Sequence, residues 1–161
     1  MASYQDVEFA DPLFGWYPQP PVFTRFMIIS DTHSFKFGDA EPVNGKFKHP
    51  LPKCDVLLHC GDLTHRGGLD EYRDCIEMLG SIEAEYKLVI AGNHDRTLDR
   101  QYWATHAKQH EKRDHMEAVE IWTGPEAKEA GITYLEEGTS LFKLKNGSQF
   151  TIYSSPYQPE L

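Results

Sequence analysis

Three cysteines, Cys54, Cys60 and Cys75, are too few and too odd in number for a disulfide framework, and none is paired at Cys-x-x-Cys spacing. Such usage fits buried thiols in a reducing compartment, so a cytoplasmic location is expected. No apolar run approaches the ~18 residues of a membrane helix, and residues 1–25 lack a basic segment followed by an apolar one. Neither secretion nor membrane insertion is expected, and no membrane partner. Positive charge is scarce too: 16 Lys and Arg face 25 Asp and Glu, a net charge of −9. That balance argues against long-range attraction to nucleic acid, so any phosphate must be captured locally.

What remains is ordinary globular material, 161 residues with 40% hydrophobic content, enough for one core. Residues 1–25 read as an extended leader, because Pro12, Pro18, Pro20 and Pro21 are interleaved with Phe14, Trp16 and Tyr17. Residues 26–161 read as the domain.

Phe26 to Ser30, Val56 to Cys60 and Lys87 to Ala91 are short apolar runs rich in branched residues, the pattern of strands covered on both faces of a parallel sheet. Leu69, Tyr72, Ile76, Leu79 and Ile82 form one apolar stripe at helical spacing, which completes a βαβ unit. Ser34 to Lys53 carries three prolines and an Asn44-Gly45 pair, and is expected to be a loop. Arg100 to Val119 is charged and helix-compatible, and Pro125 to Gly131 is a short helix with proline at its start and glycine past its end. Leu141 to Leu144 and Phe150 to Tyr153, joined through Asn146-Gly147, predict a hairpin with a type I′ turn.

Each of the three strands ends in a polar cluster, and the clusters are evenly spaced: 62 − 31 = 31 and 93 − 62 = 31, about the ~30 residues of a βαβ unit. They should therefore meet at one sheet edge. In Asp31-Thr32-His33, period-two alternation would point a carboxylate and an imidazole to the same side, where they can share a metal. Gly61-Asp62 turns the chain sharply and presents a carboxylate able to bridge two ions. Gly92-Asn93-His94-Asp95 adds an amide oxygen as ligand and a histidine suited to proton donation. The competing explanation for these residues is capping and turn hydrogen bonding after strands, where Asp and Asn are common.

In that order, Asp-x-His, Gly-Asp, Gly-Asn-His-Asp, the clusters resemble the calcineurin-like metallophosphoesterases. His59-Cys60-Gly61-Asp62-Leu63-Thr64 and Ile152-Tyr153-Ser154-Ser155-Pro156-Tyr157-Gln158-Pro159 resemble the small brain-type metallophosphoesterase-domain proteins and their fungal relatives. The resemblance implies an α/β fold, the N-terminal half of a four-layer αββα sandwich. It implies two divalent metal ions, of Mn, Fe, Zn or Mg, with Asp31, His33 and Asp62 on the first, and Asp62 and Asn93 on the second. His94 would protonate the leaving group, Asp95 would orient His94, and Arg66 would steady a phosphate oxygen. A hydroxide shared by the metals would attack phosphorus in line.

The activity so implied is hydrolysis of a small phosphoester, a phosphodiester or phosphomonoester rather than a phosphoprotein. Gly61-Asp62-Leu63-Thr64-His65-Arg66-Gly67 departs at His65 from the protein-phosphatase pattern Gly-Asp-x-x-Asp-Arg-Gly. The family's later histidine and Gly-His-x-His motif have no counterpart up to Leu161, and His49, His106, His110 and His115 lack the spacing to replace them. The expectation is therefore a domain truncated at its C-terminus that holds one metal well at most. Two alternatives follow: an impaired homologue that binds a metal or partner without turnover, or one half of a split enzyme. In either case an uncovered sheet edge would invite a partner chain or self-association.

Other residues stay open. His59 is either a buried histidine satisfied by a neighbouring carbonyl or a partner orienting a metal ligand. His106 and His110 share a helix face among charges that mark it as solvated, and His65 has no assigned role. Lys46, Lys48 and Lys53 are either solubilising or substrate-attracting.

Overall fold

Phe26–Ile29, Val56–His59 and Tyr86–Val89 form three neighbouring parallel strands, β1, β2 and β3, in a computed structural model that describes residues 21–36, 50–106 and 112–157. Most of the expected leader, residues 1–20, and most of the first loop, residues 37–49, lie outside the described residues, as do Lys46 and Lys48. A fourth parallel strand, β4 (Ile132–Tyr134), pairs with β3, giving the order β1-β2-β3-β4. Three residues are too short to show a period, and β4 had no signature in the sequence.

Between β2 and β3 the apolar stripe forms α1 (Leu69–Gly80), which buries Tyr72, Cys75, Ile76, Met78 and Leu79. The charged stretch after β3 becomes a 3-10 turn (Arg96–Leu98) and two helices, α2 (Arg100–His106) and α3 (Lys112–Thr123). Pro125 opens α4 (Pro125–Glu129), and Gly131 follows with φ +72°. Successive parallel strands joined by right-handed crossovers place their helices on one face of the sheet. Accordingly Leu57, Val89 and Ile132 pack with α1, α3 and α4 around Trp122.

Lys87 points into the same face. Its ammonium donates to the carbonyls of Gly80 and Ala130, the ends of α1 and α4, where the helix dipoles favour a cation. The opposite face, Val56 and Leu88, is covered by the antiparallel hairpin of β5 (Gly138–Lys143) and β6 (Gln149–Ser154) through Phe142, Leu144, Phe150 and Ile152. Helices, parallel sheet and hairpin thus stack as the first layers of an α/β sandwich.

The hairpin forms as expected, but its turn is not type I′. Only Gly147 has positive φ, +87°, while Asn146 uses its side-chain oxygen to accept from the Ser148 amide. With Gly147 N–H donating to Leu144 O, the loop is a three-residue turn ending in a left-handed glycine.

Among the described residues the outer edge of β1 pairs with no strand, and Ile28 on it is 66% exposed. No helix among the described residues is long and apolar enough to cross a membrane.

Candidate metal centre

All three polar clusters lie at the carboxyl ends of β1, β2 and β3, and their backbones run against one another. Asp31, His33 and Ser34 donate their amides to the carbonyls of Gly61, Asp62 and Leu63 in turn, at 2.8–3.1 Å. Four non-glycine residues here, Asp31, His33, Ser34 and Asp62, hold φ between 44° and 59°. That left-handed backbone costs energy for each, and such strain is concentrated at functional sites.

Gly61 and Gly92 make the convergence sterically feasible. A Cβ on Gly61 would meet Gly92 Cα at 2.8 Å, and one on Gly92 would strike the Asp62 amide and carboxylate. Neither position accepts a larger residue without pushing the β2 and β3 loops apart.

His33, Asp62 and His94 offer ligand atoms that all lie within 4.8 Å of one another, half-buried. Both imidazoles are fixed by hydrogen bonds: His33 Nδ1 meets Thr64 O at 2.9 Å, and His94 Nδ1 meets His65 O at 2.8 Å. A carbonyl can only accept, so each Nδ1 carries the proton and each Nε2 keeps a free lone pair. The rings of His33 and His94 meet edge to face at 4.8 Å, and His65 stacks on His33 at 5.2 Å. Asp62 accepts the His94 amide at Oδ1 and retains lone pairs for an ion. Two imidazole nitrogens and a carboxylate suit a first-row divalent metal, so the residues fit the expected ion.

The structure departs from the sequence reading in three respects. Asp31 stands outside the close group and is exposed. Strand alternation ends at Ile29, and the left-handed turns at Asp31 and His33 replace the period-two geometry that was to align them. His94 joins the close group itself. Asp95, expected to orient His94, is fully buried and engaged elsewhere: its two oxygens accept from the amides of Gly92, Leu63 and Thr64 and from the Thr64 hydroxyl. Burial pushes the Asp95 carboxyl up, opposed by those hydrogen bonds.

His59 is buried and meets Thr32 Oγ1 through Nε2 at 2.9 Å, with its Nδ1 unpartnered. Burial pushes this imidazole down to about 4, against the pull of Asp31 and Asp62. His59 is thus buried, as one reading expects, but it meets the Thr32 hydroxyl rather than a carbonyl or a metal-group residue.

Asn93 and Arg66 are exposed on the β3 and β2 loops. Beside Asn93 opens a cavity of about 800 Å³ lined by Arg96, Arg100, Tyr102, Tyr134 and Tyr157. His106 is exposed and stacked on Tyr102, and His115 is bonded to Thr97 O, so neither enters the metal group. His49 and His110 lie outside the described residues.

Sequence reasoning missed Glu71, which ties Ser34, His65 and Gly68 together. Its position three residues after Gly68 is the spacing of a helix capping box and was a usable signal.

A family model described as calcineurin-like phosphoesterase matches residues 24–157. Human metallophosphoesterase domain-containing protein 1 is 42% identical over 103 residues, 64% of this chain and 28% of that protein. A probable rhamnogalacturonate lyase C of Emericella nidulans is 33% identical over 136 residues, 84% of this chain but 11% of that protein. A probable cyclic nucleotide phosphodiesterase of Vesicomyosocius okutanii is 49% identical over 41 residues, 26% of this chain and 17% of that protein. The chain thus spans about a third or less of the length of these relatives.

Proposed function

The chain belongs to the calcineurin-like phosphoesterase family, and on that premise we propose that its three-loop site serves metal-dependent hydrolysis of a small phosphoester, a phosphodiester before a phosphomonoester. The observation that carries this reading is the convergence of His33, Asp62 and His94 with both Nε2 atoms free. His33 and Asp62, with Asp31, would hold one ion, and Asp62 with Asn93 a second. Divalent ions there supply Lewis acidity and an acidified water.

The chain's own residues do the rest. Asp62 offers a carboxylate that two ions can share. His94 Nε2, when protonated, delivers a proton to the leaving oxygen, with its ring held by the His65 carbonyl. Arg66 carries a guanidinium on the β2 loop that can pair with a phosphate oxygen. The cavity beside Asn93, with three tyrosine rings and two arginines, provides room for the organic group of the ester. The phosphodiesterase name of one bacterial relative supports the diester preference.

The same free Nε2 suits His94 to ligation, and the His94→Ala variant separates the roles. As a proton donor, His94 is needed most for poor leaving groups such as alkyl esters, least for 4-nitrophenyl esters, and its loss spares bound metal. Loss of bound metal in His94→Ala would instead assign it as a ligand.

A second reading is metal or partner binding without turnover, favoured by the small donor set: one close group of three among the described residues. Completion by another chain at the open β1 edge belongs to the same reading.

A further inference from the structure

Glu71 occupies the third position of α1, and its Oε2 accepts the Gly68 amide at 2.9 Å, which is all that a helix cap requires. The other oxygen does something else. Oε1 accepts from Ser34 Oγ at 2.8 Å, on the β1 loop beside His33, and from the His65 amide at 2.9 Å. The carbonyl of that same His65 takes the His94 Nδ1 proton at 2.8 Å, and the carbonyl one residue earlier, Thr64, takes that of His33. Two consecutive peptides of the β2 loop therefore hold the two imidazoles of the metal group. The first, Thr64–His65, is held by Glu71 through the His65 N–H, and the second, His65–Arg66, by the hydrogen bond of the Arg66 N–H to the same carboxylate.

We propose that Glu71 is a positioning residue of the site: by fixing the Thr64–His65 and His65–Arg66 peptides and Ser34 it holds His33 and His94 in the Nδ1–H tautomer, with each Nε2 turned to the reaction. This rests on the phosphoesterase reading for its purpose, but not for its test. Half-buried between two loops, Glu71 keeps its carboxylate ionised through these contacts: its pKa is lowered, since burial, the largest influence and one that raises it, is outweighed by hydrogen bonds from His65, Gly68, Ser34 and Arg66. A helix cap alone would leave the His94 tautomer untouched.

The test uses the whole metal-free chain and long-range 1H–15N correlation spectra at about pH 9, where imidazoles are neutral. Wild type should show His33 and His94 as Nδ1–H tautomers. Glu71→Asp keeps a first-turn carboxylate for the cap but withdraws it by one methylene from Ser34 and His65. The ratio of Nδ1–H to Nε2–H at His33 and His94 should then fall roughly fivefold to tenfold, the worth of one hydrogen bond, with His59 unchanged. Glu71→Gln retains an acceptor oxygen toward Ser34 and His65, and should keep the wild-type ratio while weakening the cap at Gly68. Unaltered ratios at His33 and His94 in a folded Glu71→Asp chain would overturn the proposal and leave Glu71 a helix cap, whatever the outcome for hydrolysis. If Glu71→Asp does not fold, Ser34→Ala and Glu71→Gln decide it, since a shifted ratio in Glu71→Gln with an intact one in Ser34→Ala contradicts the assigned contacts.

Discussion

Gly92 lies so close to Asp62 that an added methyl group would overlap both the Asp62 amide and its carboxylate. The loops after β2 and β3 therefore pack backbone to backbone at the point where a metal is to be held.

Gly92→Ala should push Asp62 out of register with His33 and His94. We expect Mn²⁺ affinity, measured by titration calorimetry, to fall by about 10–100-fold, the usual effect of disturbing the support of a ligand. Unchanged affinity would mean that Asp62 does not contribute to the ion.

Asp95 is the buried staple between the same two loops. Asp95→Ala strands the amides of Gly92, Leu63 and Thr64 and the Thr64 hydroxyl in the interior, each costing about 1–3 kcal/mol unless water enters. Urea unfolding should show a loss of more than about 3 kcal/mol. A loss below about 1 kcal/mol would show that the loops hold without it.

His59 supplies a pH dependence with a definite sign. Its folded value of about 4 lies below the usual 6.5, so between these pH values the unfolded chain binds the proton first. Stability from this residue is present above about pH 6.5 and is lost as pH falls toward 4, amounting to about 3 kcal/mol. His59→Phe should flatten the stability curve over that window in urea unfolding. An identical slope in the variant would show that His59 is not the group responsible.

Much of this arrangement could be read from residue order. The apolar runs set β1 to β3, the stripe from Leu69 set α1, and Pro125 with Gly131 bracketed α4, because burial and chain stiffness act locally. Clusters 31 residues apart converge because each βαβ unit returns the chain to the same edge.

What escaped the sequence depends on the path of the backbone. The partners of His33 and His94 are peptide carbonyls, and any residue at 64 or 65 presents one. Asp95 follows His94 in sequence yet points to Leu63 and Thr64, since a left-handed turn at Asp62 brings those amides beneath it. Strand alternation does not align Asp31 with His33 for the same reason: alternation belongs to extended strands, and theirs has ended.

The most direct measurement is the rate of bis(4-nitrophenyl) phosphate hydrolysis by the purified chain as Mn²⁺ is titrated in, with Asp62→Ala run alongside. The phosphoesterase account predicts saturable, Mn²⁺-dependent release of 4-nitrophenolate that a chelator abolishes and Asp62→Ala lacks. Saturable Mn²⁺ binding without turnover, or equal turnover by wild type and Asp62→Ala, would contradict it.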